Sequence, residues 1–96
     1  MNIFRAQSGQ MMDKLFESEA QTLVHLQLEA GTQVPRHKSD KDVVVVLYKG
    51  KVVFSTDDDS VELTPGVVVT MVPEEYHALE ALEDSDLIVI KSALAK

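Results

Sequence analysis

A chain of 96 residues holds one domain, and folding at this length removes only about 60–65% of the unfolded surface from water, so the core is modest. Apolar residues make up 45% of the chain, which excludes intrinsic disorder, and the absence of cysteine excludes disulfides, thiolate metal sites and cysteine nucleophiles together. Sixteen Asp and Glu against nine Lys and Arg give a net charge of −7, which repels polyanions and makes nucleic acid and anionic membrane surfaces poor partners.

The N-terminal MNIFRAQSGQ has no long apolar core behind a basic start, so no signal peptide is expected, and residues 1–10 are read as a polar segment free to pair with a partner chain. Residues 11–96 are read as a single domain. Met11 to Glu17 fits a strand or a short helix. Thr22 to Glu29 alternates, with Val24, Leu26 and Leu28 on one face and His25, Gln27 and Glu29 on the other. Ala30 to Asp42, with Gly31, Pro35 and many polar residues, reads as a loop. Val43 to Tyr48 is apolar without alternation and is expected to be covered on both faces. Lys49-Gly50 turns the chain, and Lys51 to Thr56 returns as its hairpin partner. Asp57 to Ser60 is a second turn and Val61 to Leu63 a short strand. Thr64-Pro65-Gly66 suits a type II turn. Val67 to Val72 is β-rich and ends at Pro73. His77 to Leu82 and Asp86 to Leu94 complete a set of eight or nine strands. The longest apolar runs, Val43–Tyr48 and Val67–Val69, are far short of the ~20 residues of a membrane helix, and the chain is expected in the cytoplasm.

Short strands with turns every eight to twelve residues make an all-β sandwich or barrel. Within that rhythm, Gly31 is followed after five residues by His37, His37 is followed by Gly50, and Gly66 precedes His77 by eleven positions. These spacings resemble the two motifs of the cupins over residues 31 to 77, with Pro73 displaced by one residue and Glu75 at the second motif's other glycine. The pairs His37 with Asp42, and Pro73 with His77-Ala78-Leu79, also resemble a set of very small single-domain cupins. The resemblance implies a single-domain cupin-type β-barrel, a double-stranded β-helix or jelly roll, and pairing into a homodimer. For that pairing the valine run Val43–Val46 is the expected face.

In metal-dependent cupins two histidines and a glutamate of the first motif and one histidine of the second hold the ion. At those positions this chain has His37, Ser39, Val43 and His77. A divalent transition metal (Zn, Fe, Ni or Mn) would therefore rest on His37 and His77. Asp42, if turned inward, would complete a two-histidine, one-carboxylate triad. Parity puts Asp42 on the opposite strand face from Val43. Against this stands the reading in which both histidines are pocket residues bonded to backbone or water.

The other candidates are weaker. His25 belongs to a polar strand face and is expected at the surface. The serines show no nucleophile elbow, each glycine is explained by a turn, and Asp57-Asp58-Asp59 lacks calcium-loop spacing. Acid–base chemistry at His37 or His77, in the manner of metal-free sugar epimerases, would want a tyrosine partner and a basic pocket. The tyrosines are Tyr48 and Tyr76, and strand parity turns Arg36 and Lys38 away from His37. Two function classes emerge, and a structural or regulatory dimer through Val43–Val46 is compatible with both. The first is a small-molecule-binding barrel whose pocket carries His37, Asp42 and His77. The alternative is a degenerate metal-dependent cupin enzyme, of oxygenase or isomerase type, using His37 and His77.

Overall fold

The computed structural model describes residues 1–93. Among them are nine strands and no helix: β1 (Met12–Glu17), β2 (Gln21–Leu28), β3 (Gln33–His37), β4 (Asp42–Lys49), β5 (Val52–Thr56), β6 (Ser60–Leu63), β7 (Val68–Met71), β8 (His77–Ala81) and β9 (Ser85–Ser92). The segment expected to be strand or helix is strand β1. The segment expected as loop contains β3, whose Gln33, Val34 and His37 pair with β8. Leu94, the expected end of the last strand, lies outside the described residues. Residues 1–10 form no strand. They reach the domain through Phe4, whose ring centre is 5.3 Å from that of Phe16, and through Gly9, whose N–H donates to Gln27 Oε1.

The strands form two antiparallel sheets, ordered β1-β2-β9-β4-β7 and β3-β8-β5-β6. The sheets pack face to face around one core without closing into a continuous barrel. The last strand, β9, sits in the middle of the larger sheet, paired along its length with β2 on one side and β4 on the other. β4 alternates: Val43, Val45 and Leu47 are buried toward the second sheet, while Val44 and Val46 on the outer face are half-buried.

The register sorts the inward side chains into rows across the larger sheet. Leu26, Leu87 and Leu47 make one row. Val24, Val89, Val45 and Val69 make the next. Thr22, Lys91, Val43 and Met71 make the third. At the leucine end the two sheets meet tightly: Leu28, Leu47, Val52, Leu63, Ala81 and Leu87 are each no more than 1% exposed. Each leucine buried this completely contributes about 1.5–3 kcal/mol. The valine row is shorter by a methylene at every position, and opposite it the sheets leave a space.

Two turns carry the chain from one sheet to the other, and the hairpin expected of Val43–Tyr48 with Lys51–Thr56 does not form, since β4 pairs with β7 and β9 and β5 pairs with β6 and β8. In Thr64-Pro65-Gly66-Val67 the Val67 N–H donates to the Thr64 carbonyl and Gly66 has φ +99°, the geometry of a type II turn. Gly50 has φ +94°, and a Cβ there would run into Ser85 Oγ and the Asp84 carbonyl. The Gly50→Ala variant is expected to lose about 2 kcal/mol or more in urea unfolding. Gly31→Ala, at φ +90° but with open space around a Cβ, is expected to lose less. Equal losses would mean that the clash with Ser85 is relieved at no cost.

Candidate functional site

The space opposite the valine row is a cavity of about 630 Å³. Its floor is Val24, Val45 and Val89, and its opposite wall is Val34, Phe54 and Leu79. The polar groups collect at one end. His37 and His77 reach it from the smaller sheet, and Lys91 from the third row of the larger one.

His37 reaches the cavity because of a backbone irregularity. Val34 pairs with Leu79 and His37 with His77, so β3 has three residues where β8 has two. The extra residue is a bulge around Pro35 and Arg36, and it brings Val34 and His37, an odd number apart, to the same side. His37 and His77 are thus brought together, ring centres 4.1 Å apart and planes at 62°. Phe54 lies nearly parallel to His77 on the same sheet, with centres 5.7 Å apart.

Each imidazole is held in the same way. His37 Nδ1 is 2.8 Å from the Pro35 carbonyl, and His77 Nδ1 is 3.1 Å from the Glu75 carbonyl. A carbonyl only accepts, so Nδ1 carries the proton in both rings and Nε2 is left as an acceptor when the ring is neutral. Burial pushes the His77 pKa below the ordinary histidine value, and the charges of His37 and Lys91 push it the same way. His77 therefore stands in the cavity as a neutral acceptor at neutral pH.

The mouth is bridged by ion pairs. Lys38 Nζ is 2.9 Å from Glu74 Oε2, and the Glu74 N–H donates to the Ser39 carbonyl, tying the β3–β4 loop to the β7–β8 turn. Glu74 takes φ +72° to do so. Beside it the Arg36 guanidinium makes two hydrogen bonds with the Asp57 carboxylate, at 2.9 and 2.8 Å, and lies 3.7 Å over the Tyr76 ring. Its proximity holds the Asp57 pKa below the usual carboxylate range. Arg36 is thereby engaged outside the cavity.

Two expected residues are placed elsewhere. Asp42 does not line the cavity. It shares strand parity with Val44 and Val46 and pairs in register with Ser92, on the outer face. His25 also belongs to the outer face, as the alternation of β2 requires, yet it is only 1% exposed rather than at the surface. Its Nε2–H donates to Asp86 Oδ1 at 2.9 Å, and the Tyr48 ring stacks over it at 6.0 Å with its hydroxyl 3.0 Å from the same nitrogen. Gln27 Nε2 also donates to Asp86. Among the described residues His25 Nδ1 has no hydrogen-bond partner. The sheet separates this cluster from the cavity, so His25 does not join His37 and His77.

No family model and no curated protein matches the chain. Solved structures do. An RmlC-like cupin from Desulfovibrio desulfuricans superposes with a TM-score of 0.85 at 20% identity, over 96% of both chains. An RmlC-like cupin with a double-stranded β-helix fold from Methanocaldococcus jannaschii gives 0.83 at 18% identity, over 96% of this chain and 90% of that one. KdgF from a Halomonas species gives 0.80 at 18% identity, over 88% and 79%. The chain has the cupin fold.

The donors present do not make up the cupin metal set. Of its four positions, His37 and His77 supply nitrogen, Ser39 supplies a hydroxyl already accepting the Lys41 N–H, and Val43 is a buried hydrocarbon in the cavity wall. Among the described residues no three His, Cys, Asp or Glu side chains come together as a metal-holding group, so the triad of His37, His77 and Asp42 is not assembled. Lys91 is one of the cavity residues that the amino-acid sequence does not single out, as are Asp40, Phe54 and Glu74. The signal for Lys91 is there, since it continues the inward parity of Leu87 and Val89.

The depressed pKa of His77 has a consequence for stability. The unfolded chain takes up a proton near the ordinary value of 6.5 and the folded chain only at lower pH. The contribution is present in full above about pH 6.5 and is lost as pH falls through the folded value. The His77→Phe variant, which keeps a ring beside Phe54, is expected to lose less stability than the parent between pH 7.5 and 5.5. Urea unfolding at the two pH values measures this. Identical pH dependence in the two proteins would refute it, as would a His77 ring that titrates by NMR at or above the ordinary histidine value.

Proposed function

We propose that this cupin-fold protein binds a small molecule between its two sheets, with an apolar body on the valine floor and a polar head toward His37 and His77. The observation that carries this is the cavity itself. Its volume falls within the ~300–1,000 Å³ of small-molecule sites, its walls are hydrocarbon, and a few polar groups converge at one end. His77, neutral and with Nδ1 engaged, offers Nε2 as an acceptor for a hydroxyl or N–H of the ligand, and the His37 ring stands against it. The match to proteins of several kinds on one fold assigns no reaction, since fold and chemistry are separate properties.

The test is thermal unfolding against a panel of small amphiphiles: octanamide, octanol, octanoate and phenyl analogues. A ligand at about 100 times its Kd should stabilise the protein by about 2.7 kcal/mol, saturably and without turnover. The Val34→Phe variant, which puts a ring into the cavity from a half-exposed position, should abolish that shift while keeping the fold. No stabilisation by any member, or the same shift in Val34→Phe, would overturn the proposal. Elemental analysis belongs beside it. Near one equivalent of a transition metal per chain, lost in His77→Ala, would replace this reading with a metal-dependent enzyme on His37 and His77.

A further inference from the structure

We infer that Lys91 seats an anionic group of the cavity's ligand, so that the ligand is an apolar acid carrying one carboxylate or an equivalent single charge. The inference rests on the binding function proposed above and goes further by fixing the charge of what is bound.

Lys91 stands in the row Thr22, Lys91, Val43, Met71, on the inward face of the central strand β9 and next to the valine row. It is half-buried, and its side chain lines the cavity. This chain has sixteen acidic side chains, and among the described residues five basic ones are paired with them: Lys14 with Glu17, Arg36 with Asp57, Lys38 with Glu74, Lys41 with Asp40, and Lys51 with Glu62 and Glu83. Lys91 has no carboxylate within ion-pair distance among the described residues. The two acids that line the cavity, Asp40 and Glu74, are the partners of Lys41 and Lys38.

An ammonium that is partly desolvated against hydrocarbon and lacks a counter-charge is unfavourable, and an anion arriving from solvent relieves it. His77 does not compete for that anion, because its neutral ring, with Nδ1 held by the Glu75 carbonyl, presents an acceptor rather than a donor. The positive charge is nevertheless felt at this end of the cavity, where it contributes to keeping His77 neutral. Of the two lysines lining the cavity, Lys38 is paired with Glu74, so in a protein of net charge −7 Lys91 selects one negative charge rather than several. The apolar floor and wall exclude a small hydrated ion in favour of an acid with a hydrocarbon body.

The experiment compares octanoate with octanamide, which share a shape and differ in charge, by calorimetry on the full chain. The parent protein should prefer octanoate by at least about tenfold, the scale of one charge-assisted hydrogen bond. Lys91→Met should bind the two alike, with its affinity for octanamide kept. Lys91→Arg should restore the preference. If the parent binds both equally, or if Lys91→Met keeps the preference, the role of Lys91 is refuted while the binding function stands. If the parent binds neither, both fall. The comparison within the parent decides the matter even if Lys91→Met does not fold.

Discussion

The antiparallel register that holds β9 between β2 and β4 is the constraint from which the rest of the molecule follows. β9 is the last strand in the chain and the middle strand of its sheet, so the fold is complete only when residues some sixty positions apart, such as His25 and Asp86, have found one another. Because side chains alternate along a strand, one register decides at once that Leu87, Val89 and Lys91 face inward and Asp86, Ile88 and Ile90 outward. A slip by one residue would exchange Lys91 for Ile90 in the cavity and bring Asp86 into the core. The buried bond between His25 and Asp86 on the outer face acts against that slip, since either partner left alone in the sheet would be a buried polar group without compensation.

Once the register is set, side-chain length decides where the interior is solid and where it is hollow. A row of leucines closes one end of the sandwich and a row of valines leaves the other open. The cavity is therefore a property of the inward rows of the larger sheet, and the smaller sheet equips it. β8 and the bulged end of β3 deliver two imidazoles with fixed tautomers, and the loops beside them supply the ion pair across the mouth. The acidic character of the chain is expressed on the surface, where carboxylates pair with basic side chains. At the polar end of the cavity Lys38 is paired with Glu74, which leaves Lys91 beside the two imidazoles.

Much of this is legible in the amino-acid sequence. The alternation of Val24, Leu26 and Leu28 marks the inner face of β2. Gly50 and Gly66 mark turns that the backbone makes with positive φ, and the spacing of Gly31, His37, Gly66 and His77 points to the fold and to the two histidines that meet. What cannot be read there has physical reasons. Alternation tells which face of a strand a residue is on, and not whether that face is covered, so parity places His25 correctly and misjudges its exposure. The cover comes from Tyr48, on a strand far away in sequence. A bulge has no periodicity, so β3 reads as loop. Lys91 escapes notice because a lysine near the end of a strand is ordinarily solvated, and only the position of β9 at the centre of its sheet brings it indoors.

The placement of Val43 and Ser39 bears on what the cavity can hold. Both line the cavity beside His37 and His77, one a hydrocarbon and the other a hydroxyl already accepting the Lys41 N–H. A carboxylate at position 43 and an imidazole at position 39 would face the same space as the two histidines, so two side chains separate this lining from one with four donors.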